Sequence, residues 1–168
     1  ATTNEDISCT LNAEEKLYIA THTSTSLRVY QYNPETGKML LVGPTITAAG
    51  TNPYISELVW FEGKLWACTD EDGAGKVYSI RPPSSTFVGD TSWVTEYNPG
   101  TNDLYSMAAF RGLLYVGNSA GDVFVRSSLG VFTVSDDLAS GARTGLYVYN
   151  DALFAAANVS SVLTYRTF

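Results

Sequence analysis

Residues 114–118 read Leu-Tyr-Val-Gly-Asn, and this phrase of a leucine, an aromatic residue and a small or β-branched tail occurs four times in the chain. The copies begin at Leu17, Leu65, Leu114 and Leu153, so successive leucines lie 48, 49 and 39 residues apart. Sequence periods of this size are typical of repeat architectures. The phrase therefore predicts four copies of one structural unit.

A two-residue turn precedes the phrase in the last three copies. Gly, Asn and Asp tolerate the positive φ that tight turns between antiparallel strands require. The phrase is therefore predicted to be the second strand of a hairpin. The turns are Glu62-Gly63, Arg111-Gly112 and Asn150-Asp151, each just after an aromatic residue (Phe61, Phe110 and Tyr149). In the first copy, Asn12-Ala13-Glu14-Glu15 replaces the aromatic residue and the turn.

Two further apolar stretches follow each phrase and complete a predicted four-stranded antiparallel meander. The third strand carries an aromatic residue: Tyr30, Tyr78, Phe124 or Tyr165. The fourth strand is predicted at Met39 to Val42, at Trp93 to Tyr97 with Phe87 as a rival, and at Val131 to Val134. The last copy ends at Phe168 without a fourth strand. The predicted repeats span approximately residues 7–53, 54–103, 104–143 and 144–168 of a single domain.

Repeats of four strands at this spacing resemble the blades of β-propellers. The segment from Met107 to Gly117 is similar to the inner strands of kelch-like and lectin-like propellers. Residues 27–42 resemble the outer hairpin of lactonase-type propellers. The resemblance implies an all-β, β-propeller-like fold of four repeats, with a β-sandwich as the alternative. No subfamily motif is present, so the resemblance implies an architecture and no particular activity.

Composition limits the classes of partner. Hydrophobic residues make up 45% and charged residues 16% of the 168 residues, which favours an ordered domain. The net charge is −7 and the ten Lys and Arg residues are scattered, so the sequence predicts no nucleic-acid binding. No run of 18 apolar residues occurs, and the sequence predicts no insertion into a membrane.

An extracellular, secreted or particle-surface setting is predicted from the low charge and from the many Thr, Ser and Tyr residues. The start at Ala1-Thr2-Thr3 is as expected of a processed product, although a cloning boundary would look the same. Asn158-Val159-Ser160 forms a glycosylation sequon. Cys9 and Cys68 could pair in an oxidising compartment, while the alternative makes Cys68 a small buried residue.

Catalytic and metal-binding groups are scarce. His22 is the single histidine, and no Gly-x-Ser-x-Gly nucleophile motif accompanies it. Two cysteines and one histidine do not form a zinc ligand set. Asp70 and Asp72 stand in the stretch Asp70 to Gly75, whose alternating carboxylates could surround a hard cation, but a solvated hairpin loop is favoured. No cofactor and no bound metal are predicted.

Aromatic residues offer a different kind of site. Exposed rings beside Asp, Asn or Arg are typical of sugar-binding surfaces. Trp66 occupies the aromatic position of the repeated phrase and is therefore predicted to lie in the core. Trp93, Tyr97 and Asn98 are the better candidates, and together with His22, Asp70 and Asp72 they form the predicted ligand-binding set. The loops expected on that face are polar and rich in glycine, and one of them runs from Ser140 to Thr144.

The predicted function is a non-enzymatic recognition module that binds a glycan or a protein surface through these loops. The alternative is a structural subunit that assembles through open edge strands into a filament, shell or surface decoration. A lactonase-type or lyase-type enzyme is the third choice. Residues 1–6 could complete the last repeat, or two or more subunits could share a larger ring as a homo-oligomer.

Overall fold

The computed structural model describes residues 5–84, 87–138, 141–159 and 162–168, with the backbone alone for residues 158–159 and 162–166. The described chain consists of β-strands and connecting turns, so the all-β prediction is confirmed. The strands form four antiparallel sheets, each built from consecutive strands. None of the described segments is a helix long and apolar enough to cross a membrane.

The first and second sheets comprise strands β1 to β9. The first sheet contains β1 (Asp6–Ala13), β2 (Lys16–His22), β3 (Ser26–Asn33) and β4 (Lys38–Leu41), in that order, and the short β5 (Ile46–Thr47) pairs with β3. The second contains β6 (Tyr54–Phe61), β7 (Lys64–Asp70), β8 (Val77–Ile80) and β9 (Val94–Tyr97). Phe87 lies outside β9, in an isolated bridge with Ser84.

The third and fourth sheets comprise strands β10 to β16. The third contains β10 (Leu104–Phe110), β11 (Leu113–Asn118), β12 (Asp122–Arg126) and β13 (Phe132–Asp137). The fourth has three strands in the described chain: β14 (Thr144–Tyr149), β15 (Ala152–Val159) and β16 (Val162–Thr167). In each sheet the repeated phrase lies in the second strand.

Tight turns join the first and second strands of every sheet. Both turn residues have positive φ, as in Arg111 (47°) and Gly112 (75°). The first copy differs from the expectation, since Glu14 (52°) and Glu15 (59°) form the same turn without Gly, Asn or Asp. The β1–β2 pairing from Asn12–Leu17 to Ala13–Lys16 holds these two residues in a conformation that their side chains disfavour.

The four sheets pack face to face in chain order. The first strand of each sheet lies beside the first strand of the next, and the Ser56 and Ser106 hydroxyls donate hydrogen bonds across these contacts to the carbonyls of Leu104 (2.7 Å) and Thr144 (2.6 Å). We call the face that packs on the next sheet in the chain the forward face, and its opposite the backward face. Strand β4, the fourth of its sheet, is exposed along its whole length.

Three apolar cores fill the spaces between successive sheets. The largest buried side chain, Trp66, lies between the second and third sheets, and its indole N–H donates to the Phe61 carbonyl at 2.9 Å. Tyr18 lies between the first and second sheets, and Tyr115 between the third and fourth. Side chains alternate between the faces of a strand, so the leucine and the aromatic residue of each phrase point to opposite faces.

The N-terminal segment lies against the first sheet. Asp6 begins β1 and pairs with His22, and the Glu5 carboxylate accepts hydrogen bonds from Thr21 and Arg28 on the backward face of that sheet. Residues 1–4, part of the segment expected to complete the last repeat, lie outside the described residues. Residue 6 at least belongs to the first sheet.

Candidate functional site

Five polar and aromatic side chains meet at one end of the sheets, and we call them the strand-end cluster. His22 ends β2, Tyr54 begins β6, and Asp70 ends β7 directly opposite Tyr54. Tyr105 lies near the start of β10, and Arg143 immediately precedes β14. The cluster therefore draws on all four sheets.

Contacts between these side chains form a continuous chain across the sheets. The rings of His22 and Tyr54 lie 6.2 Å apart between centroids. The guanidinium carbon of Arg143 lies 4.1 Å from the ring centroid of Tyr105, within range of a cation–π interaction. The Asp70 carboxylate lies close enough to both phenols to raise their pKa values. A single carboxylate thus connects the two tyrosines.

The electrostatics of the cluster keep its phenols protonated. Burial, followed by the hydrogen bond to Asp70 and its charge, raises the pKa of Tyr54 to about 12. The pKa of Tyr105 is also raised, first by burial and then by the charge of Asp70, and the guanidinium of Arg143 opposes this shift. Both hydroxyls therefore remain neutral donors and acceptors at any physiological pH.

A β-bulge explains the position of Tyr105. The pairing of β10 with β11 shifts between Leu104 and Ser106, which leaves Tyr105 as the extra residue. A bulge re-aims the side chain of its extra residue. The second sheet has a bulge at the same place, between Ile55 and Glu57, where the extra residue is Ser56.

A buried carboxylate holds the loop that follows Asp70. Glu71 is fully buried and accepts hydrogen bonds from the Lys76 ammonium (2.7 Å), the Thr69 hydroxyl (2.7 Å) and the Tyr78 hydroxyl (3.1 Å). It also accepts from the backbone N–H of Ala49 at 3.1 Å, which belongs to the preceding connection between sheets. Removing one partner of a buried charge pair costs more than the pair contributes, so this loop is firmly anchored.

Asp103, at the start of the third sheet, also binds this loop. Its carboxylate accepts from the backbone N–H groups of Glu71 (2.9 Å) and Gly73 (2.8 Å). Gly75 also packs closely there, because a Cβ at this position would lie 2.4 Å from the Thr69 carbonyl oxygen. These contacts fix Asp70 in place before any ligand arrives.

Two polar atoms near the cluster have no hydrogen-bond partner within the described chain. They are Nδ1 of His22 and Oγ1 of Thr144, and the Thr144 side chain is fully buried. Thr144 directly follows Arg143. Both atoms are buried, so they add no accessible polar surface to the cluster.

The predicted site residues fall into two groups. His22 and Asp70 meet in the strand-end cluster through Tyr54. Asp72 is exposed, with its backbone N–H donating to Asp70 at 3.3 Å. Glu71 is paired with Lys76, so its carboxylate is not directed toward Asp70 or Asp72. Within the described ranges, no group of three or more His, Cys, Asp or Glu residues is placed to hold a metal ion.

The aromatic candidates lie elsewhere and contribute to packing. Trp93 packs partly buried against the core between the first two sheets. Tyr97 stacks on Phe132 at 4.8 Å and contacts Phe124 at 5.2 Å, in the core between the second and third sheets. Asn98 is exposed and accepts a hydrogen bond from the Gly100 N–H at 2.9 Å, closing a turn. Asn158 lies in β15, and its side chain and Ser160 are outside the described residues.

Sequence reasoning missed Tyr54, Tyr105 and Arg143 as site residues. Tyr54 directly follows the Asn52-Pro53 turn, Tyr105 lies two residues after Asp103, and Arg143 lies in a loop predicted on the binding face. The available signal was a large polar side chain at the start of three repeats. The bulge that turns Tyr105 toward the cluster has no signature in the sequence.

Both cysteines are free thiols in the structure. Burial, with the nearby charge of Glu57, raises the pKa of the Cys9 thiol to about 12 and that of the fully buried Cys68 well above its usual range. Thiols with raised pKa values are unreactive because the thiolate is the nucleophile. They behave as small core residues.

An open cleft lies at the opposite end of the first sheet, among the β1–β2 and β3–β4 turns. Its lining includes Glu15, Lys16, Gln31 and Pro34. Its residues come mainly from one sheet, whereas the strand-end cluster draws on four. The cluster is therefore the better candidate for a functional site.

Comparisons with known proteins relate the chain to others through its fold. No protein-family model and no curated protein matches the sequence. The computationally designed Ika4 protein is similar in structure, with a TM-score of 0.63 and 14% identity over 97% of this chain and 90% of that one. The extracellular domain of the putative hybrid two-component system BT4673 from B. thetaiotaomicron has a TM-score of 0.68 and 13% identity over 95% of this chain.

A third similar structure is the computationally designed Ika8 protein, with a TM-score of 0.59 and 14% identity over 96% of this chain. This chain spans 21% of the BT4673 structure and 45% of Ika8, so both neighbours are much longer. At these identities the likeness is one of fold alone. The chain is thus an all-β protein of four antiparallel sheets in an arrangement that longer chains also contain.

Proposed function

We propose that this chain is a β-propeller-like recognition module that binds a glycan at the strand-end cluster, outside the cytoplasm. The observation that carries the proposal is the Asp70 carboxylate held between two tyrosines, with Arg143 and His22 beside them. The propeller interpretation is supported by four meander-like sheets packed in chain order with their first strands together.

The chemistry of the cluster suits a sugar. A carboxylate accepts hydrogen bonds from sugar hydroxyls, a guanidinium donates several, and an aromatic ring packs against the C–H face of a pyranose. The anchoring of the Asp70 loop by Glu71 and Asp103 preorganises this surface, which reduces the entropy lost on binding.

Recognition fits the cluster better than catalysis. A hydrolytic site needs a nucleophile next to a base. Within the described chain, the His22 ring contacts Tyr54, and the aromatic side chains beside Asp70 are tyrosines with raised pKa values. The module is accordingly proposed to be non-enzymatic, with no cofactor.

Substitutions of Asp70 and of the nearby Asp72 test the glycan site. Hydrogen bonds to charged groups contribute about 1.5–3 kcal/mol, so Asp70→Asn should weaken glycan binding about ten- to hundredfold. Arg143→Gln should also weaken glycan binding. Because Arg143 is exposed, its loss does not disturb the core. A glycan array identifies a ligand for the wild-type chain, and isothermal titration calorimetry then compares the variants.

Asp72→Asn is the matched control, because Asp72 stands two residues along the same loop and is exposed. It removes the same charge from the same loop and should leave affinity unchanged. Absence of any array signal for the wild-type chain would contradict the proposal. Equal losses from the Asp70 and Asp72 substitutions would instead show a general charge effect and remove the cluster from consideration.

A further inference from the structure

Each position of the repeated phrase has a fixed role in the contact between sheets. The leucine lies on the backward face, and Leu65, Leu114 and Leu153 are all 0% exposed against the preceding sheet. Leu17 holds the same position in the first sheet and is 37% exposed. Leu17 thus has the residue type that packs between sheets elsewhere, but no sheet of the described chain covers it.

The forward face of the fourth sheet shows the reciprocal pattern. The aromatic residue four positions before the leucine is buried in the second and third sheets, at 8% for Phe61 and 7% for Phe110. Tyr149 holds this position in the fourth sheet and is 62% exposed, with Tyr147 beside it at 69%. Phe154 is also partly exposed, whereas its equivalents in the other phrases are buried.

Among the described residues, these two faces do not share an apolar core. The apolar cores of the described residues lie between the first and second, second and third, and third and fourth sheets. Packing between the fourth and first sheets is absent from the main strand contacts of the described chain. In the part of the chain that the structure describes, one forward face and one backward face are therefore unpaired.

We propose that the forward face of the fourth sheet packs on the backward face of the first sheet of a second copy. The same contact in the other direction closes a ring of two copies and eight sheets. The three contacts inside the chain show the required mode of packing, forward face on backward face, and the new contact repeats it. Head-to-tail contacts of this kind generate a closed ring when the rotation between copies returns to the start.

The chemistry of the two faces is matched. Cross-strand pairing places Leu17 beside Tyr32 and Ile19 beside Tyr30, which makes the centre of the backward face apolar and aromatic. The charge of Glu5 on this face is compensated by Arg28. The forward face of the fourth sheet offers tyrosines and a phenylalanine, the residue types that such contacts favour.

Fold neighbours occur at the length of this chain and at about twice that length. The designed Ika4 protein is of the first kind, since 90% of it is covered. The designed Ika8 protein matches this chain over 96% of its length but is itself only 45% covered. A chain of about twice this length thus includes a similar four-sheet arrangement. Two copies of the present chain reach a comparable size through a non-covalent contact.

The experiment compares the solution masses of two variants. One is changed on the backward face of the first sheet, and the other on the forward face of the fourth sheet. We expect a wild-type mass of twice 18.2 kDa in analytical ultracentrifugation. Leu17→Glu and Tyr149→Glu should each reduce the mass to that of one copy, because both ring contacts carry the substitution. Leu129→Glu is the matched control, since Leu129 is 88% exposed in the β12–β13 loop and should leave the dimer intact.

Mixing the two variants distinguishes head-to-tail from symmetric association. In a mixed pair, one contact joins the intact fourth sheet of one chain to the intact first sheet of the other. The mixture should therefore regain dimer mass, although neither variant does so alone. If a glutamate variant loses its β-sheet circular dichroism signal, Leu17→Thr and Tyr149→Thr repeat the test. Threonine favours strands.

Three results would overturn the proposal. A wild-type mass of one copy at high concentration would show that the faces do not bind each other. Loss of the dimer with Leu17→Glu but not with Tyr149→Glu would indicate a symmetric contact of first sheets. A mass that rises continuously beyond two copies would indicate an open filament. Glycan binding takes no part in this test, so its outcome is independent of the proposed ligand site.

Discussion

At the scale of single residues, Glu5 shows how one carboxylate stabilises an otherwise incomplete face. Its oxygens accept hydrogen bonds from Thr21 at 2.6 Å, from the Arg28 guanidinium and from the Tyr30 hydroxyl at 3.3 Å. The Thr21 hydrogen bond lowers the pKa of Glu5 below its usual value of 4.5, burial opposes this shift, and Arg28 adds to it. The charged form is therefore the one that the folded chain favours.

A pH dependence follows from the direction of this shift. Because the pKa is lower in the folded state, the stabilisation by Glu5 is present above pH 4.5 and is lost as the pH falls through the folded value. Glu5→Gln should thus reduce the free energy of unfolding near neutral pH and have little effect in strong acid. Urea unfolding at several pH values measures this difference, and an effect that is independent of pH would contradict the assignment.

At the scale of elements, close approach of strands from different sheets makes Gly117 necessary. A Cβ at Gly117 would lie 2.6 Å from the carbonyl oxygen of Thr144 and 2.7 Å from Oγ of Ser106. Gly145, on β14, has space for a Cβ, with its nearest neighbour at 3.9 Å. The contact between the third and fourth sheets thus has space for a side chain at Gly145 but not at Gly117.

Gly117→Ala should therefore lower the free energy of unfolding by about 1–3 kcal/mol, the usual cost of overpacking a core. Gly145→Ala is the control and should cost far less, since its added methyl group meets no close atom. Denaturant unfolding followed by fluorescence measures both. Similar losses of unfolding free energy for Gly117→Ala and Gly145→Ala would contradict this prediction. They would show that the strands move apart without cost to admit a methyl group at position 117.

The elements also show which features a sequence can predict. The turn residues, the leucine and the aromatic residue of each phrase indicated hairpins correctly, because turn chemistry and side-chain alternation are local properties. The strand-end cluster was predicted only at His22 and Asp70. Tyr105 reaches it through a bulge, and Tyr54 and Arg143 through the packing of separate sheets, and neither effect is local. Trp93 and Tyr97 are residue types common in ligand sites, but both are partly buried by packing against the cores between sheets.

At the scale of the whole molecule, equivalent leucines have different surroundings. Leu65 is fully buried between two sheets, whereas Leu17 is 37% exposed on the unpaired face of the first sheet. Leu65→Ala should cost about 2–5 kcal/mol at any protein concentration, as expected for truncation in a core.

Leu17→Ala should cost less in dilute solution, and its cost should grow with protein concentration, because a second copy that covers Leu17 stabilises the folded state by mass action. Thermal unfolding at low and high protein concentration measures both variants. A Leu17→Ala effect that does not change with concentration would contradict association through this face.

The polarity of the sheets has a consequence for how such a chain can change over evolutionary time. The second and third sheets each have one face that fits the sheet before and one that fits the sheet after, and the repeated phrase supplies both kinds of side chain. A duplicated repeat would therefore arrive with compatible surfaces on both sides. The number of repeats in a chain can grow or shrink by whole units, while the rules of contact between them stay the same.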